Sequence, residues 1–354
     1  MSVVSLPILD RKIRFALVGC GRIAKNHVEA IAKHGERAEL VAVCDNRPEA
    51  LAAAVAATGA SGFASLQALL ASGSEPDIVV LATPSGLHSQ QAIRIAQAGR
   101  HVLTEKPMAT KFEEGQAMVR ACRDAGVKLF VVKQNRLNAT VQLVKRAIDE
   151  GRFGRIYMST VNVFWTRPQS YYDAAKWRGR WDLDGGAFMN QASHYVDLLD
   201  WLVGPVDSVH AYTATLARDI EAEDTGVLSA RLRHGGLASI NVTMLTWPQN
   251  LEGSITILGE KGTVKIGGTA VNKIEHWAFA EPHPDDEAVK NASYETGSVY
   301  GFGHPLYYDN VIRSLRGEAS AEVDGYEGLR SLEILIAAYR SARDGQRVGL
   351  PLVF

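Results

Sequence analysis

The hexapeptide Gly19-Cys20-Gly21-Arg22-Ile23-Ala24 spaces two glycines and a small residue as a dinucleotide site needs them. The first glycine permits a tight turn, the second lets backbone approach a pyrophosphate, and the small Ala24 seats a helix close to a sheet. Asp45, 24 residues beyond Gly21, has the carboxylate that accepts hydrogen bonds from the ribose hydroxyls of NAD. It would repel a 2′-phosphate, whereas Arg47 beside it could serve one. A packing turn next to a solvated aspartate would use the same residues.

Glu105-Lys106-Pro107 offers an ammonium that can stabilise a developing alkoxide or exchange a proton. Thr83-Pro84-Ser85 and His88 suit the lining of a cofactor cleft, or equally a turn in which Ser85 caps a helix with His88 on its surface. Gly185-Gly186-Ala187-Phe188-Met189-Asn190-Gln191-Ala192-Ser193-His194, read as one helix, puts Asn190 and His194 on one face. A neutral His194 could take a hydroxyl proton while Asn190 fixes an amide. A core histidine satisfied by a carbonyl is the competing reading. From Arg167 to Arg180, Arg167, Lys176, Arg178 and Arg180 face Asp173 alone, with the aromatics Tyr171, Tyr172, Trp177 and Trp181 interleaved with them.

These residues need a scaffold, and the hydrophobic pattern supplies two. Between Ile13 and Gln134, strands at Ile13–Val18, Leu40–Cys44, Ile78–Ala82, His101–Thr104 and Val127–Val132 alternate with helices near Ile23–His34, Pro48–Ala57, His88–Ala98 and Phe112–Asp124. That alternation predicts a doubly wound parallel sheet, an α/β domain over residues 1–134. Residues 135–354 begin with a helix at Val141–Glu150, a strand at Ile156–Trp165 and a helix at Gly186–Leu202. Strands then follow one another at Val206–Thr215, Gly226–Arg233, Ala238–Thr246, Gly253–Leu258 and Gly262–Ile266, predicting a mainly antiparallel sheet in an α+β domain. Glu281–Gly303 reads as a long loop and Tyr326–Arg343 as a closing amphipathic helix.

The 354 residues suit two domains, and 46% hydrophobic with 22% charged residues is an ordinary globular balance. With 38 basic against 39 acidic residues the net charge is −1, which provides no general attraction to nucleic acid or anionic membrane. Cys20, Cys44 and Cys122 lie far apart without a metal-ligand pattern, so a reducing cytoplasm and no metal are expected. The first twelve residues lack a secretory pattern, and no run approaches the roughly 18 apolar residues of a membrane span.

Through the glycine hexapeptide, Ala82-Thr83-Pro84 with His88, Glu105-Lys106-Pro107 and the Gly-Gly…His194 segment, nearly the whole chain resembles the glucose–fructose oxidoreductase/inositol dehydrogenase/rhizopine-catabolism (Gfo/Idh/MocA) family. The resemblance implies a Rossmann domain followed by an open-faced sheet domain that carries substrate and oligomer contacts. It implies catalytic roles for Lys106 and His194 and a cis Lys106–Pro107 bond. Asn190 stands where the family commonly has aspartate, which leaves open whether Lys106 or His194 is the base. Cofactor contacts are expected from Gly19, Gly21, Arg22, Ile23, Asp45, Thr83, Pro84, Ser85, His88, Glu105, Lys106 and Gln134, with NAD as the cofactor.

Within that family the chain resembles the bacterial UDP-N-acetylglucosaminuronate 3-dehydrogenases of surface-polysaccharide (lipopolysaccharide O-antigen) synthesis. The match rests on Lys133-Gln134-Asn135-Arg136-Leu137-Asn138, Trp165-Thr166-Arg167-Pro168-Gln169-Ser170-Tyr171-Tyr172, Lys176-Trp177-Arg178-Gly179 and Asn190–His194. A UDP-linked amino-sugar acid is the implied substrate, held by Lys106, Arg136, Arg167, Tyr172, Trp177, Arg178, Asn190, Gln191, His194 and His304. His304 is equally readable as a helix cap. The Arg167–Arg180 cations suit a diphosphate and a carboxylate, and its aromatics suit a uracil or sugar face. A basic, aromatic subunit interface would have the same composition. A dehydrogenase of free sugars or polyols and a catalytically silent NAD-binding regulator are the alternatives; retention of Lys106 and His194 argues against the second.

Overall fold

The computed structural model describes residues 6–353 apart from 297, 298 and 300, so Tyr300 lies outside the described residues. The chain packs as two units, 1–133 with 304–329 and 134–303 with 330–354. This differs from a single cut after Gln134, because residues 304–329 return to the first unit.

In the first unit, strands β1 (Ile13–Val18), β2 (Ala38–Cys44), β3 (Ser61–Phe63), β4 (Ile78–Leu81), β5 (His101–Thr104) and β6 (Leu129–Val131) form a parallel sheet in the order β3-β2-β1-β4-β5-β6. β4 and β5 are buried throughout, as the unbroken apolar run Ile78–Leu81 of β4 requires of a sheet covered on both faces. The strand order reverses between β1 and β4, the point at which such sheets bind ligands beyond their carboxyl ends. The intervening helices are α1 (Ala24–Lys33), α2 (Pro48–Thr58), α3 (Leu66–Leu70), α4 (His88–Gln97) and α5 (Phe112–Asp124). β3 and α3 were not foreseen: β3 has three residues and no buried one, too short and exposed for a hydrophobic pattern.

The second unit contains α6 (Ala139–Asp149), β7 (Ile156–Phe164), α7 (Gln169–Asp173), α8 (Ser193–Val203), β8 (Val206–Ala214), β9 (Thr225–Leu232), β10 (Leu237–Thr243), β11 (Glu252–Gly259), β12 (Gly262–Gly267) and β13 (Lys273–Phe279). Its eight-stranded sheet runs β13-β12-β11-β7-β10-β9-β8-β14, with β14 at Val348–Gly349; only the β7–β10 pair is parallel. β9 and β10 bury alternate residues, so one face is core. The other face leaves Tyr212, Val227, Leu237 and Met158 exposed. Leu350 N donates to Asp207 O (2.8 Å) beside β14, and Trp277 Nε1 of β13 donates to Asp286 (2.7 Å).

Asp286 belongs to α9 (Asp285–Ala292), a helix inside the expected loop, and α10 (His304–Leu315), which was not foreseen, begins just after that loop. α9 is polar because it is mostly exposed, with three acids in its first turn. α10 packs on α1 within the first unit, where Phe15 and Tyr308 meet at 5.4 Å. The closing helix, α11, spans Gly325–Asp344. Among the described residues no helix is long and apolar enough to cross a membrane.

Candidate active site

At the carboxyl end of β1, Gly19 has φ +96°, and a Cβ there would lie 2.5 Å from Ala82 O, so the position excludes other residues twice over. A Cβ on Gly21 would meet nothing within 4 Å, which leaves the backbone over the start of α1 open to a ligand. Arg22 is exposed, Ile23 half-buried, and the first turn of α1 has no acidic residue to oppose an anion. Asp45 ends β2 and accepts from Cys20 N and Arg47 N, each at 2.8 Å, with Arg47 Nε at 3.4 Å. Burial alone would raise its carboxyl, but these donors hold it below the ordinary range. An open glycine turn beside an ionised carboxylate fits the adenosine half of NAD.

After β4, Thr83 Oγ1 donates to Gln91 (2.6 Å), while Pro84 and Ser85 enter a short 3₁₀ turn. Ser85 makes no side-chain cap, and His88 is fully buried rather than on the helix surface. Its nitrogens lie 2.9 Å from Thr83 O and 3.1 Å from Pro107 O, so it ties the loop after β4 to the one after β5. Burial lowers the His88 imidazole, opposed by those carbonyls.

Lys106 follows β5, half-buried, and its bond to Pro107 is cis. The preceding Glu105 faces the interior. His27 Nε2 is 3.1 Å from Glu105 Oε1, His304 Nε2 is 3.9 Å from the same oxygen, and Lys106 N donates to Oε2 (3.1 Å). His27 Nδ1 and the Tyr308 hydroxyl are 2.8 Å apart. Burial would raise Glu105, but the imidazoles hold it well below the usual carboxylate range. Burial pushes the fully enclosed His27 down, against the pull of Glu105. Tyr308, His27 and Glu105 thus form a buried polar chain in which burial disfavours the charged imidazole while the imidazoles favour the carboxylate. Glu105 and His304, expected at the cofactor and the substrate, lie together, with Glu105 accepting from the Lys106 amide. His27 and Tyr308 were missed, being 281 positions apart.

In the second unit, residues 187–191 form a π turn and α8 starts only at Ser193, so Asn190 and His194 do not share one regular helix. Asn190 Nδ2 donates to Asp184 Oδ1, restoring a carboxylate where the family's aspartate is missing. Gln134 Nε2 lies 3.3 Å from the buried His194 Nε2, so this nitrogen accepts when the amide donates. Gln134, expected at the cofactor, is thereby set beside His194.

Gln191 gathers the basic segment. Arg167 Nε donates to its Oε1 (3.2 Å), and its Nε2 donates to the Tyr171 hydroxyl (3.3 Å). Arg178 lies 4.2 Å over Tyr171 and 5.5 Å from the Trp177 ring centre; Arg167 is 5.5 Å from the Tyr171 centre. Tyr171 is therefore the aromatic between the two arginines. Tyr172, which was singled out, is buried edge-on behind it at 5.1 Å, and burial pushes its hydroxyl up. Arg180 pairs with Asp182 at 3.0 Å, just beyond the segment whose charges were counted.

Arg136 departs furthest from expectation. It makes a two-pronged bond to Asp197 (2.8 and 2.7 Å), both side chains buried, and lies 5.1 Å over Trp201. Its fork is committed inside the second unit. A metal was not expected; Glu150, His283 and Asp285 do bring ligand atoms together at the surface, where Arg146 pairs with Asp285 at 2.8 Å.

Comparison with known proteins identifies the family. Residues 13–133 match the family model described as oxidoreductase family, NAD-binding Rossmann fold, and residues 145–350 match the family's C-terminal alpha/beta domain. The WlbA dehydrogenase of Bordetella pertussis, solved with NADH and UDP-GlcNAcA, is 73% identical with a TM-score of 0.96, over 98% of this chain and 100% of that one. WlbA from Chromobacterium violaceum, with the same two ligands, is 67% identical with a TM-score of 0.95, over 99% and 100%. The inositol 2-dehydrogenase of Rhizobium meliloti is 28% identical, over 96% of this chain and 99% of its own. Both domains are covered in order and almost end to end, and the chain belongs to the Gfo/Idh/MocA oxidoreductase family.

Proposed function

We propose that the protein oxidises the C3 hydroxyl of UDP-N-acetyl-glucosaminuronic acid with NAD. The observation that carries this is the 73% identity, over nearly the whole chain, to a dehydrogenase solved with NADH and UDP-GlcNAcA. Bound NAD supplies the acceptor for the hydride that leaves the sugar carbon. Gly19, Gly21 and Asp45 hold the dinucleotide through backbone approach and a carboxylate, the latter selecting NAD over NADP. Lys106 and His194 divide removal of the hydroxyl proton and stabilisation of the resulting alkoxide. Arg167 and Arg178, with Tyr171 and Trp177, bind the anionic and flat parts of the nucleotide sugar. The same reading includes a role in bacterial surface-polysaccharide synthesis, a cytoplasmic setting and a homo-oligomer built through the open sheet face. The last is supported by exposed Tyr212 and Leu237 on that face.

The test is NADH formation with UDP-N-acetylglucosaminuronate, UDP-N-acetylglucosamine and a polyol. The uronate should be strongly preferred, because the neutral sugar leaves the carboxylate's partner unpaired. Equal kcat/KM for the two nucleotide sugars excludes carboxylate recognition, and a better polyol excludes the nucleotide-sugar reading.

A further inference from the structure

Three consecutive amides of the 187–191 π turn are held by two distant residues, Glu223 and Tyr339. Ala187 N donates to Glu223 O (2.9 Å), and Phe188 N donates to Glu223 Oε1 (2.8 Å). Met189 N donates to the Tyr339 hydroxyl (3.0 Å), which donates to the same Oε1 (2.8 Å). The turn closes through Ala192 N donating to Ala187 O (2.9 Å). Glu223 is 2% exposed, and a Cβ on Gly186 would sit 1.8 Å from its Oε2, so only glycine admits the carboxyl group this close. An isolated π turn is a poor local structure and persists where its surroundings hold it. This one sets Gln191 against Arg167 and Tyr171 and leads His194 into α8.

We infer that Glu223, with Tyr339, is a positioning residue for the reaction, holding the wide turn that places Gln191 and His194. The inference rests on the proposed function for the roles of those two residues. The titratable groups facing Glu223 are Asp184 and Tyr339. Burial, then the negative Asp184, pushes the carboxyl up to about 7 against the Phe188 amide and the Tyr339 hydroxyl. Opening the turn would hydrate Glu223 and return it to the ordinary range. The folded turn therefore favours the protonated form, and opening becomes easier as pH rises through about 7.

Glu223→Ala should lower kcat by about tenfold to a hundredfold, the scale of small misplacements, with NAD affinity little changed. Glu223→Gln keeps the accepting oxygen and should restore most of kcat; Tyr339→Phe should fall between. Unchanged kcat in Glu223→Ala, or a Gln variant no better than Ala, overturns the inference. If Glu223→Ala does not fold, unchanged turnover and exchange in Tyr339→Phe overturn it equally. Amide hydrogen exchange of residues 186–193 requires no substrate. After correction for intrinsic rates, protection should fall above pH 7 in the wild type and stay flat in Glu223→Gln. Identical exchange profiles overturn the inference even if no nucleotide sugar is oxidised, which separates its failure from that of the proposed reaction.

Discussion

The two units hold their functional side chains by different means. In the first, position comes from backbone: a glycine at positive φ, strand ends at one edge of a parallel sheet, and a lysine two residues beyond β5. In the second, position comes from side chains that cross the sequence: Gln191 on Arg167 and Tyr171, Gln134 at His194, and Glu223 under the π turn. Backbone-built sites tolerate change around them but not at the glycine. Side-chain-built sites can be retuned by a single distant substitution, which suits a family whose members act on different sugars.

The largest effects should come from the proposed chemical groups themselves. Lys106→Met should lower turnover by about two orders of magnitude or more while NAD affinity stays within a few fold, and His194→Asn should also suppress turnover. Near-normal rates in both would return Lys106 and His194 to structural roles. The pH profiles of the two variants identify the base, since its rate limb disappears with it.

Next in size is the side-chain-built half. Arg167→Ala or Arg178→Ala should raise KM for the nucleotide sugar by about 30-fold, the loss of one charge-assisted contact of about 2 kcal/mol, with little change in NAD affinity. Weakened NAD binding in either variant would break the division of labour between the units. Asp45→Ala should do the converse, weakening NAD about tenfold, the lower end expected for hydrogen bonds to a charged acceptor. A wild-type preference for NADP in titration would refute the role given to Asp45.

The smallest effect is in stability, and it has opposite signs in the two units. His101, whose Nδ1 accepts from Lys128 N (2.9 Å), is pushed down to about 4 by burial. Its unfolded form binds a proton first, so this contribution is full above about pH 6.5 and is lost as pH falls towards 4. Glu223, raised to about 7, contributes fully below about 4.5 and loses that contribution as pH rises through 7. Between pH 5 and 8, Tm of Glu223→Gln should fall less than that of the wild type, by a few degrees. Parallel curves would show that Glu223 does not titrate in that range.

Much of the first unit was legible because its signals are local. Apolar runs, their spacing and Gly19-Cys20-Gly21 lie within a few residues of one another, and the strands emerge nearly where the pattern places them. The second unit's site was legible in residue type but not in partner. Arg136 was read from its type as a substrate-binding cation, and nothing near it in sequence reveals that Asp197, 61 positions away, pairs with it. The break between Asn190 and His194 falls at a turn bonded to Glu223, 35 positions from Phe188. Similarly, α10 was not foreseen, and the surface it packs on, α1, lies some 280 residues upstream. Buried polar pairing is a property of the folded chain, and no window of sequence contains it.

The two-residue strand β14 has a practical consequence. By pairing with β8, and with Leu352 N donating to Glu333 (2.7 Å), the last residues cover a sheet edge that would otherwise present unsatisfied amides and carbonyls. Trp277 and Asp286 tie α9 to the opposite edge strand. Loss of residues 348–352 would uncover β8 as a template for intermolecular pairing. Self-association of such a chain would then report an unguarded edge, distinct from any assembly through the open sheet face.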